Sequence, residues 1–180
     1  MAGGGSTRRL NYNAYRTTAR SMAQHTIRGD NRLATKGLIA DLIRIGPIDA
    51  EAMQAYWGWQ ANYGFPWHKV AKWKADDAKA IDLALWYDAG LCGMCFATPR
   101  RSKLCIKMIL LERSPGDGNP LRGLVGAFLV IPLLRYAQQL GLQEIEVEDP
   151  LPGAIALYEL IGFKFLPGQR GLRLVRRIDE

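Results

Sequence analysis

The chain has 180 residues, 48% hydrophobic and 23% charged, proportions that fit one globular domain and exclude a collagen-like or wholly disordered chain. Its longest apolar stretch, at 124–134, is broken by Gly126 and Pro132 and falls short of the roughly 18 to 20 residues needed to cross a bilayer. The net charge of +7 is lopsided: residues 1–36 carry Arg8, Arg9, Arg16, Arg20, Arg28, Arg32 and Lys36 against Asp30 alone, while residues 37–180 hold 17 bases and 16 acids.

Residues 1–36 are rich in Thr, Asn and Arg and show no apolar stripe, so they read as an extended basic N-terminal arm without structure of its own. Tyr12 and Tyr15 among the arginines suit an acidic or phosphate-bearing partner, either nucleic acid or a protein assembly; a solvated tail is the alternative. The arm has no apolar secretory stretch, although its Arg-rich, acid-poor composition resembles an organelle transit peptide. Cys92, Cys95 and Cys105 are too few and too clustered for a disulfide framework, which favours the cytoplasm or the inside of an assembled particle.

The folded domain is expected over 37–180. Residues 38–45 read as a strand closed by Gly46-Pro47. Asp49 is placed to cap a helix over 50–62, and a shorter helical stretch follows over 66–79. This helix pair concentrates Tyr56, Trp57, Trp59, Tyr63, Phe65, Trp67 and Trp73. Residues 53, 56, 57 and 60 share one helical face, and Trp59 lies opposite Trp57, so one of the two is hard to bury. That makes 50–74 a candidate protein interface or acceptor wall. Strands are expected at 81–87, 91–98 and 104–111, a long helix over 120–140 stopped by Gly141, a strand at 142–148, a helix over 152–161, and closing strands at 163–165 and 172–178. The order predicts an α+β fold: a mixed sheet of seven strands flanked by four helices. Cys92 and Cys95, three apart on one strand, should face opposite ways, and no metal site is assembled from them. His25 and His68 are too few for a His cluster or a nucleophile triad.

Residues 154–163, Ala-Ile-Ala-Leu-Tyr-Glu-Leu-Ile-Gly-Phe, resemble the helix and following strand that mark the GNAT N-acyltransferase superfamily. The helix from Arg122 to Leu140 and the Gly141-Leu142 that follows are similar to that family's acyl-CoA pyrophosphate segment, and the resemblance runs over about 37–178. It implies acetyl transfer from acetyl-CoA to a primary amine, without a metal. The pyrophosphate would sit on Arg122, Gly123, Leu124, Val125, Gly126 and Ala127 at a helix N-terminus, whose unpaired N–H groups and dipole favour an anion. The pantetheine arm would pair with the backbone of Leu110 and Leu111. Tyr158 would be the general acid for the leaving thiolate and Glu112 the base, with Asp82 and Asp88 as looser choices.

Two positions depart from the family pattern. Val125 stands where it has Gly, which should bring a branched side chain to the phosphate, and Leu151 stands where many relatives carry Asn. The alternative function is therefore a catalytically weakened structural or assembly protein, virion-internal or nucleoprotein, anchored by the arm. A modifier that uses the arm to find RNA is a third reading.

Overall fold

A computed structural model describes residues 4–60, 63–102, 104–166 and 173–179, with side chains from residue 11 onward. Seven strands form one mixed sheet, β1 (Ile43–Gly46), β2 (Ile81–Tyr87), β3 (Gly90–Pro99), β4 (Cys105–Arg113), β5 (Glu144–Glu148), β6 (Lys164–Phe165) and β7 (Arg173–Arg177), in the spatial order β1-β2-β3-β4-β5-β7-β6. Only β4 and β5 run parallel. The described residues hold six α-helices: α1 (Gly4–Arg28), α2 (Asn31–Thr35), α3 (Ala50–Trp57), α4 (Val70–Asp76), α5 (Val125–Gln139) and α6 (Ile155–Leu160).

The expected arm is the largest difference from the sequence reading. Residues 4–28 form a 25-residue helix that packs on α5 and β1, with Ala19, Ala23 and Ile27 fully buried at four-residue spacing. This stripe is too narrow and too small to register as amphipathic, yet small residues let helix backbones come close. A parallel row of polar side chains does the rest. Arg16 donates to the carbonyls of Ala78 (3.0 Å) and Ala80 (2.6 Å), and Arg20 donates to the Asp82 carbonyl (2.7 Å) and carboxylate (3.1 Å). Gln24 accepts the Ile45 N–H (2.9 Å), and Arg28 donates to the carbonyls of Asp41 and Ile43 (3.0 Å each). Since β1 is the edge strand, α1 supplies hydrogen-bond partners to an edge that would otherwise present unpaired groups. Three of the arm's seven bases are thus spent inside the molecule, and Arg32 pairs with Asp30.

The α5 side of the sheet carries the larger core, including Ile81, Leu83, Leu85, Phe128, Leu129, Leu133 and Tyr136. The opposite face packs Met94, Phe96 and Leu110 against α3 and α4 through Tyr56, Trp67 and Val70. α3 ends at Trp57, short of the expected 62, because Gly58 takes the cap. Its buried positions are Ala52 and Tyr56, not the set 53, 56, 57 and 60; Trp57 is 64% exposed while Trp59 packs on the core. The stretch 38–42 is a 3-10 turn at Ala40–Leu42 rather than strand, and the first turn of the 66–79 segment is likewise 3-10 at Trp67–Lys69.

Cys92 and Cys95 do not face opposite ways. A register shift between β2 and β3 leaves Cys92 as the extra residue between Leu91 and Gly93, and both thiols enter the α5-side core as free cysteines. No group of three or more metal-binding side chains occurs among the described residues, nor is any described helix long and apolar enough to cross a membrane.

Candidate functional site

The site is created by a strand that leaves its neighbour. β4 pairs with β5 only through Cys105, Ile106 and Lys107. A second register shift, opposite Phe96 and Ala97, leaves Ile109 as the extra residue of β4, and bulges bend a strand and raise its twist. Beyond the bulge, Leu110, Leu111 and Glu112 pair with β3 and not with β5, so their outward backbone edge has no strand partner among the described residues. Leu110 is buried in the α3–α4 core, while Leu111 packs half-buried on the α5 side.

Tyr158 comes from α6. Its ring is buried, edge-on to Phe163 at 5.5 Å between centroids. It lies near Cys95, the cross-strand partner of Leu111. Burial, with a smaller push from Cys95, raises its phenol above the ordinary range, so it keeps its proton at neutral pH. The hydroxyl makes no hydrogen bond to any described residue.

Glu112 is 3% exposed and projects to the opposite face. Its Oε2 accepts the Trp67 Nε1–H at 2.6 Å and its Oε1 the Tyr63 backbone N–H at 2.9 Å. Glu112 and Tyr158 therefore sit on the two opposite faces of the sheet. Asp82 is fully buried and bound by Arg20, Lys74 (2.8 Å) and the Ile48 N–H (2.8 Å), a structural hub between α1, α4 and the β1–α3 turn. Asp88 is an exposed turn residue at φ +53°.

The turn before α5 has the attributes of an anion cradle. The N–H groups of Gly123, Val125, Gly126 and Ala127 have no backbone partner among the described residues, and the first helical bond runs from Phe128 to the Leu124 carbonyl. Gly123 adopts φ +81° with open space where a side chain would stand. Arg122, mostly exposed, pairs with Asp117, and Leu124 is buried at the cap position.

Two positions differ from expectation. Val125 does not reach the phosphate side: it is 3% exposed and packs inward against Gly93, where a Cβ would overlap its Cγ1. Gly126 serves helix packing, since a Cβ there would come within 3.2 Å of Leu157 on α6. The residue missed by sequence reasoning is Asn119. Its amide donates to the Cys92 carbonyl (2.8 Å) and its Oδ1 accepts the Leu121 N–H (3.0 Å), stapling the 114–119 loop to β3. Its place between Gly118 and Pro120 is the only sequence signal, and it reads as an ordinary turn.

Solved structures share this architecture. The ribosomal-protein-S18-alanine N-acetyltransferase from Escherichia coli aligns over 76% of this chain and 94% of its own, at 17% identity and TM-score 0.55. A putative acetyltransferase of the GNAT family from Desulfovibrio desulfuricans aligns over 76% and 99%, at 10% identity and TM-score 0.58. YncA, a putative acetyltransferase from Salmonella typhimurium solved with acetyl-CoA, aligns over 77% and 95%, at 15% identity and TM-score 0.52. No family model and no curated protein matches the sequence. At these identities the likeness shows the fold, and the chain has the GNAT fold.

Proposed function

From the GNAT fold, we propose that this chain transfers an acetyl group from acetyl-CoA to a primary amine. The observation that carries the reading is Tyr158, whose ring is buried near Cys95, the cross-strand partner of Leu111, while its hydroxyl has no partner among the described residues and is not sealed from solvent. An accessible phenol beside the strand stretch that β5 does not pair is placed to give up a proton to a bound group.

Acetyl-CoA, when bound, supplies the activated acyl group and a thiolate leaving group. The free N–H groups of Gly123, Val125, Gly126 and Ala127 would hold its pyrophosphate, and the inward turn of Val125 leaves that cradle clear. The backbone edge at Leu110 and Leu111 would align the pantetheine amides. Glu112 would take the proton the amine loses as it attacks, and Tyr158 would give its phenolic proton to the departing sulfur.

Calorimetric titration of the full chain with acetyl-CoA, followed by a thiol-release assay over a panel of primary amines, tests the reading. Micromolar binding with amine-dependent thiol release is expected, and absence of binding overturns it.

A further inference from the structure

The inference rests on the reading of Glu112 as the proton acceptor. We propose that Trp67 is a positioning residue for acetyl transfer, acting through Glu112. The Glu112 carboxylate is buried, and a buried carboxylate needs donors. It has one on each oxygen, and they are unequal. The Tyr63 N–H belongs to a segment whose own side chain is 69% exposed. The Trp67 indole is 1% exposed and wedged edge-on to the buried Tyr56 ring at 6.4 Å, so it cannot swing without opening the core. The Tyr56 hydroxyl feels the charge of Glu112 from the same side, after the larger effect of burial.

With one lone pair of each oxygen taken, each oxygen keeps another for an incoming ammonium. The rigid 2.6 Å indole bond sets where that free lone pair points. A Phe at 67 keeps a ring in the core but removes the donor together with part of the indole, so the comparison with and without the Glu112 carboxylate is what isolates the hydrogen bond. A carboxylate left to turn presents its lone pair in many directions, and small misalignments at a reacting group cost rate.

A kinetic double-mutant cycle with Trp67→Phe, Glu112→Gln and the double variant tests this, with acetyl-CoA and the best amine of the panel. The expected result is about a tenfold or larger loss of kcat in Trp67→Phe with both KM values unchanged, and no further loss when Glu112→Gln is already present. A KM effect alone, an unchanged kcat, or equal losses in both backgrounds overturns the positioning role. The Trp67 Nε1–H proton resonance should lie downfield and move in Glu112→Gln while the other indoles stay. A Trp67 resonance indifferent to Glu112→Gln also overturns the role. A wild-type chain that transfers no acetyl group overturns the parent reading and the positioning role together, which separates that failure from the others.

Discussion

Val125 occupies the space that Gly93 leaves by having no side chain. The two meet across the α5–β3 interface, and a methyl group on Gly93 would overlap Val125 Cγ1. The pairing moves the branched side chain of the helix N-terminus into the core and off the anion side. Val125→Gly should destabilise the fold by about 2–4 kcal/mol, from a cavity plus the helix cost of glycine. Acetyl-CoA affinity should not improve. Urea denaturation and calorimetry on the same samples check both parts.

Tyr158→Phe should separate chemistry from packing. The hydroxyl has no partner to lose, so the melting temperature should stay within about 2 °C, corresponding to surface-like changes of roughly 0.5 kcal/mol. The kcat should fall about 10²-fold or more if the phenol is the acid. An unchanged kcat with unchanged stability would assign the thiolate's proton to solvent.

Helix α1 should be indispensable to the folded domain. Its removal strips Ala19, Ala23 and Ile27 from the core and leaves the β1 edge and the Asp82 carboxylate short of partners. Residues 37–180 alone should therefore show weak or no cooperative unfolding by circular dichroism. The single change Arg20→Ala should cost about 2 kcal/mol, the size of a hydrogen bond to a charged group, because Lys74 still holds Asp82. Burial pulls the Arg20 guanidinium below its ordinary value, which Asp82 opposes.

The three thiols should resist alkylation in the folded state. Burial pushes Cys92 up to about 11 and raises Cys95 further; burial, with the Glu146 hydrogen bond second, pushes Cys105 up to about 11. A raised folded value means that the thiols contribute stability below about pH 9, and that this is lost as pH rises toward 11. Iodoacetamide labelling at pH 8 should be slow when native and fast in urea, and thermal stability should fall between about pH 9 and 11.

Only the local part of the candidate site was legible: the 154–163 run put Tyr158 on a short helix, whereas the helix expected from 120 begins at Val125 after a turn at 121–124. The carboxylate at 112 was nameable as the end of a strand, but its two donors come from 45 and 49 residues earlier, and no spacing rule reaches that far. The bulges at Cys92 and Ile109 were also invisible, since a period-2 pattern assumes that no residue is extra.

The sequence by itself determined the seven strands, their order along the chain, and the turns and caps between them, because apolar alternation, Gly and Pro punctuation and Asp caps act within a few residues. Only the tertiary structure decided what the basic N-terminal segment is. Its arginines look like a surface for an outside anion until β1 and β2 present carbonyls and Asp82 within their reach. A long cationic side chain is satisfied by the nearest acceptors, and which acceptors are nearest is set by the packing of α1 on a sheet whose strands lie far along the chain.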